Sequence, residues 1–186
     1  YSMVVILALT ISMNVIAQNK EYQVVSPDKN IIVTTRLNNK GQLQYHIRYG
    51  DNTILQWSAL GFEFFNMPAL KTGLTVADVK KYSKDTIWEQ VWGEQHWVKE
   101  NFNQLLLTLK EKKGSRRTFR LNFKVFNDGV GFRYEIPSQN GIDSIIIKEE
   151  LTEFNFPDHH NAWWIPVHRY NSYYESLYQL TPMNVI

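Results

Sequence analysis

From Tyr22 onward apolar and polar side chains alternate with a period of two, the spacing at which successive residues fall on opposite faces of a β-sheet. Ile31, Val33, Thr35 and Leu37 form one such run, and Leu43, Tyr45, Ile47 and Tyr49 form the next, opposed by Gln42, Gln44, His46 and Arg48. The segment Asn38-Asn39-Lys40-Gly41 between them predicts a hairpin turn. The pattern returns in Phe119, Leu121, Phe123 and Val125, then in Val130, Phe132, Tyr134 and Ile136, with Asn127-Asp128-Gly129 as the tight turn between. Leu105, Leu107 and Leu109 and the stretch 145–149 add two more predicted strands. No segment carries a capped apolar stripe of 3.6-residue period, so the pattern predicts an all-β sandwich.

The first sixteen residues, YSMVVILALTISMNVI, break this pattern with a continuous apolar run followed by Ala17 and Gln18. They read as the apolar region and cleavage site of a secretory signal, too short for a stable membrane span. A buried N-terminal strand is the alternative. The expected organisation is therefore a partial signal peptide over 1–17 and one domain over 18–186, with a periplasmic or secreted destination. The close at Thr181-Pro182-Met183-Asn184-Val185-Ile186 has no tail-like composition and predicts a following domain.

Composition narrows the function classes. A formal net charge of +2 over 186 residues is too small for a nucleic-acid partner, which would demand a concentrated basic stripe. Arg116, Arg117, Arg120 and Lys124 cluster in sequence and are expected on a solvated strand face. The absence of cysteine excludes a disulfide scaffold and thiolate chemistry and leaves export open. The 14% aromatic content suits a β-rich core or a sugar-handling surface equally.

Six stretches in chain order then carry a resemblance. They are Val25-Ser26-Pro27-Asp28; the run from Leu43 to Tyr49; Ser58-Ala59-Leu60-Gly61-Phe62-Glu63; Val91-Trp92-Gly93-Glu94 with Asn101-Phe102-Asn103-Gln104-Leu105; Phe126 to Tyr134; and Trp163-Trp164-Ile165-Pro166 with Tyr173 to Tyr178 and Thr181-Pro182. Together they resemble the N-terminal domain of glycoside hydrolase family 97, in the α-glucosidase and α-galactosidase class. The resemblance implies a large antiparallel supersandwich of the galactose-mutarotase-like kind, followed in the same polypeptide by a catalytic (β/α)8 barrel that needs calcium. It implies an oligosaccharide substrate, an α-glucoside or α-galactoside. Phe102 stands where the family usually has Tyr, and Gln104 replaces an acidic residue.

Glycoside hydrolysis requires two carboxyl groups astride the scissile bond. The resemblance places them on the barrel, and no catalytic acid or base is expected in this chain. Glu149 and Glu150, adjacent on a strand, diverge to opposite faces. Glu175 matches the family glutamate that resembles a calcium ligand lent by the N-terminal domain; an ion-paired surface Glu beside Arg169 is the alternative. Trp163, Trp164, Tyr170, Tyr173, Tyr174 and Tyr178 form the densest aromatic cluster. It either lines a substrate entrance, with Trp163, Trp164 and Tyr173 touching sugar, or docks on the barrel, and docking is the favoured reading. Trp88, Trp92 and Trp97 invite the same two readings. Adjacent His159 and His160 lack the spacing of a metal pair and are expected in a loop, with Asp158 as a turn residue. The competing classes are a stand-alone carbohydrate-binding module and a purely structural sandwich.

Overall fold

The computed structural model describes residues 20–157, 160–166 and 176–186. Two four-stranded antiparallel sheets, each a simple meander, face each other. The first holds β1 (Glu21–Val25), β2 (Ile31–Leu37), β3 (Leu43–Tyr49) and β4 (Asn52–Ala59) in that order. After the short β5 (Phe62–Phe64), the second holds β6 (Leu74–Glu89), β7 (Trp97–Glu111), β8 (Thr118–Val125) and β9 (Val130–Glu135). β10 (Ile147–Glu150) pairs with β5, and β11 (Asn161–Trp164) pairs with β12 (Gln179–Pro182). The all-β sandwich read from the alternation is the fold observed.

The alternating residues are the core. Val33, Tyr45, Leu105, Leu107, Leu109, Leu121, Phe123 and Val125 are completely buried, drawn from both sheets into one cluster. The ring of Tyr45 lies 6.0 Å from that of Phe123 and 5.6 Å from that of Phe132, so aromatic contacts join the layers. The predicted turns form as expected. Asn38 Oδ1 accepts the backbone N–H groups of Lys40 and Gln42, and Gly41 takes φ of +68°. A Cβ on Gly41 would lie 2.9 Å from the nitrogen of Leu74, so the turn also needs glycine for the close approach of the β6 start. At the other turn Asn127 Oδ1 accepts the N–H of Asp28, joining the two sheets at their ends.

The segment after β10 closes the edge of the first sheet. The amides of Leu151 and Glu153 donate to the carbonyls of Gly61 and Ala59, and Gln56 donates to the carbonyl of Asn155. Glu153 carboxylate accepts the Ala59 amide at 2.8 Å, and its carbonyl accepts the Tyr45 hydroxyl at 2.7 Å. This strap satisfies backbone groups that β4 would otherwise leave open.

One expectation is corrected. Arg117 does not lie on a solvated face: it is 6% exposed. It follows the turn that ends β7, and its guanidinium meets Glu111 at 2.6 Å while donating to the carbonyls of Pro68 and Ala69. Five fixed donors let an arginine satisfy several buried acceptors at once, which is why it can sit where a lysine could not.

Candidate functional site

Three surfaces could carry chemistry: the carboxylates, the β11–β12 hairpin and the far end of the β6–β7 ribbon. The carboxylates are the simplest to judge. Glu63 accepts from Lys71 and Lys148, Glu100 from Lys84 and Lys124, Glu111 from Arg117 and Glu135 from Arg133. In each case the hydrogen bond from the cation is the largest influence and holds the carboxyl below its ordinary range. Asp28 is held down likewise, first by the Ser26 hydroxyl. A proton donor in glycoside cleavage needs the opposite shift. These acids are therefore structural anchors. Glu149 and Glu150 are both exposed on β10, and Glu150 accepts from the Thr152 hydroxyl.

Burial pushes the phenols of Tyr45 and Tyr134 up to about 12, with burial the first cause in both, so both stay neutral donors within the core. Burial also lowers the pKa of His46, helped by Arg48. His46 lies 5.3 Å from the ring of Trp57, whose face is covered by the Arg36 guanidinium at 3.7 Å. A ring already covered this way is not a free platform for a sugar. Sequence reading passed over this stack because the partners sit on three different strands.

The β11–β12 hairpin positions two of the predicted sugar contacts. Trp163 pairs with Leu180 and Trp164 with Gln179, so the two indoles point to opposite faces of the ribbon. Trp163 is 69% exposed, beside the exposed Leu180. Trp164 is half-buried and donates its Nε1–H to the Thr181 hydroxyl at 2.9 Å. One flat platform cannot include both rings. His160 lies in the loop before β11, as expected, and its carbonyl accepts the Met183 amide. Tyr173 and Glu175, with Asp158, His159, Arg169, Tyr170 and Tyr174, lie outside the described residues. Among the described residues no three His, Asp or Glu side chains gather in a group that could hold a metal ion.

The β6–β7 ribbon was not foreseen as an element. Its strands pair continuously from Leu74↔Glu111 to Glu89↔Trp97, whereas β8 pairs with β7 only from Asn103 to Lys110. Among the described residues, therefore, the ribbon continues beyond Phe102 as two strands alone. There Ile87, Trp88, Val91, Trp92 and Trp97 are all exposed, Trp92 by 84%. At the root of this projection Lys124 sits over the Phe102 ring at 4.2 Å and the Phe126 ring packs against it at 5.3 Å, contacts that a phenylalanine makes without a hydroxyl.

Between the ends of the sheets lies an open hollow of about 360 Å³, lined chiefly by Tyr45, Ile47, Tyr49, Ile54, Val130 and Phe154. Its lining is mainly apolar, with Arg48 the one charged residue among those that line it, and so offers few of the polar groups that orient a sugar. No helix among the described residues is long and apolar enough to cross a membrane.

A family profile described as glycosyl-hydrolase 97 N-terminal matches residues 24–186. Among solved structures, a glycoside hydrolase family 97 enzyme from Pseudoalteromonas sp. strain K8 in complex with acarbose is 37% identical, with a TM-score of 0.82 over 88% of this chain. A variant of a family 97 enzyme from the same organism in complex with panose gives 37% identity and a TM-score of 0.81 over the same share. A β-arabinopyranosidase is 26% identical, with a TM-score of 0.74 over 85% of this chain. The chain spans about a quarter of the length of these enzymes, 25% of the first two and 26% of the third.

Proposed function

This chain belongs to the glycosyl-hydrolase 97 N-terminal family, and from that premise we propose that it is the accessory sandwich of an exported, calcium-dependent, exo-acting α-glycosidase. In this reading it forms one wall of an active site whose catalytic carboxylates belong to a (β/α)8 barrel in the same polypeptide. The observation that carries it is the likeness in both sequence and backbone to an enzyme that holds acarbose. Acarbose and panose, named with two of the similar structures, are built on α-linked glucose-type rings and favour an α-glucoside over an α-galactoside as substrate.

Glu175 is the residue we assign to calcium. Calcium takes about six to eight oxygen ligands, so one carboxylate from this domain is a partial set, and the remainder would come from the barrel and water. The ion when bound supplies positive charge beside the reacting sugar. The sandwich's own contribution is to hold an acidic oxygen and an aromatic edge at the wall and to exclude water from it. Trp163 and Tyr173 are the sugar contacts in this reading, with Trp164 fixing the hairpin through Thr181.

Replacement of Glu175 by Gln in the full polypeptide tests the assignment. The calcium concentration for half-maximal activity should rise at least about tenfold, since a neutral amide oxygen is a weaker ligand for a hard cation. An unchanged calcium requirement would leave the domain a scaffold only. Calorimetric titration of the 186-residue chain with maltooligosaccharides should be silent, whereas micromolar binding would point to a stand-alone carbohydrate-binding module.

A further inference from the structure

The far half of the β6–β7 ribbon is a physical anomaly. Among the described residues no third strand pairs with it and no layer covers it; two strands alone are marginal in water, and exposed indoles add an apolar surface that soluble chains rarely leave open. Trp92 is 84% exposed, Trp97 60%, Trp88 45%, Val91 88% and Ile87 62%. The cross-strand pairs Trp88↔Val98 and Glu89↔Trp97 are consecutive, so the indoles of Trp88 and Trp97 lie on opposite faces. The ribbon thus presents apolar groups on both sides and at its tip.

We propose that this ribbon end is a docking arm, inserted into a cleft of the catalytic domain carried by the same polypeptide. The inference rests on the reading that such a domain is present, and it names the surface that engages it. A two-faced insert calls for an occupant that grips both sides. A sugar chain, which stacks along one flat face, does not fit that shape. The arm offers on the order of 600 Å² of apolar side-chain surface, taking about 150–250 Å² for a fully exposed aromatic. Free partners of standard size each contribute about 800 Å², so the arm is small for a second copy of the chain. Contacts between domains of one chain begin at about 600 Å², because the tether supplies a high effective concentration. The similar enzymes are about four times as long as this chain, which covers 25% of them, so in those enzymes most of the polypeptide lies outside this domain. At the root, Lys84 and Lys124 both reach Glu100, which ties the base of the arm to the neighbouring β8 strand.

The test is hydroxyl-radical footprinting of the full polypeptide, native and unfolded in urea, with glycosidase activity assayed on the same sample. Trp92 and Trp97 should oxidise at least about tenfold more slowly in the native enzyme, as expected for anchors in a water-excluded pocket. That protection should survive dilution and should not depend on added maltotriose. Oxidation of both residues at nearly the unfolded rate in an active enzyme overturns the arm while leaving the proposed function intact. Protection that disappears on dilution overturns it in favour of a second copy, and protection that appears only with maltotriose overturns it in favour of a sugar site. A polypeptide that cleaves no glycoside and carries no barrel removes the partner, and both readings fail together.

Discussion

The two halves of the β6–β7 ribbon are continuous in backbone and opposite in circumstance. In the near half Leu105, Leu107 and Leu109 are fully buried, with β8 alongside and the first sheet above. In the far half the same strand register continues with no third strand among the described residues, and the large side chains face water. Hydrogen-bond pairing is thus common to both halves and cannot be what distinguishes them. Burial is. The near half is held by tertiary packing, and the far half is pairing awaiting a layer.

Substitutions along the ribbon and at its supports should separate these halves by size of effect. Leu107→Ala should cost the 186-residue chain about 3–4 kcal/mol in denaturant unfolding, from lost transfer energy plus an unfilled cavity; a loss under about 1 kcal/mol would mean that the near half is loosely packed. Arg117→Ala should cost about 2–3 kcal/mol, because Glu111 would lose its cation in a site with only 15% side-chain exposure. The same pair sets a pH dependence. The Arg117 guanidinium holds the folded carboxyl of Glu111 below its ordinary value of 4.5, so its contribution is full above that value and fades as pH falls through the lower folded value. Arg117→Ala should flatten that acid limb of a stability-against-pH curve, and an unaltered limb would show that other acids dominate it. Gly41→Ala should cost about 1–2 kcal/mol, for the left-handed backbone and the close approach to Leu74. Trp92→Ser should change the stability of the 186-residue chain by less than about 0.5 kcal/mol, since that ring is almost wholly in water already. Any larger loss would show that the far half packs on its own domain.

Much of this fold could be read in the alternation of residues 31–49 and 119–136, because each of those strands has one face in the core and one outside. β6 could not. From Lys80 to Asp85 both faces are polar apart from the exposed Tyr82, since the strand is at a sheet edge and then runs beyond the second layer, so no period-two signal exists to be found. The burial of Arg117 was hidden for a related reason. Its partners Glu111, Pro68 and Ala69 are brought together by a turn and a distant loop, and nothing local in Arg116-Arg117 marks one as solvent-facing and the other as enclosed. At the candidate site, the identity of Trp163 and Trp164 was legible and their divergence followed from strand geometry once they were known to be paired with Leu180 and Gln179. The assignment of Glu175 depends on resemblance alone.

The strap after β10 has a consequence for how the chain is made. Glu153 and Asn155 reach back 94 and 97 positions to Ala59 and Ser58, and Tyr45 waits 108 positions for its acceptor. A ribosome adding roughly 5–20 residues each second would expose the bare margin of β4 for several seconds before its cover emerges. During that interval the nascent first sheet offers a template to any neighbouring extended chain. Crowding and chaperone supply at synthesis, more than the finished domain's resilience, would then set how much correctly closed protein is obtained.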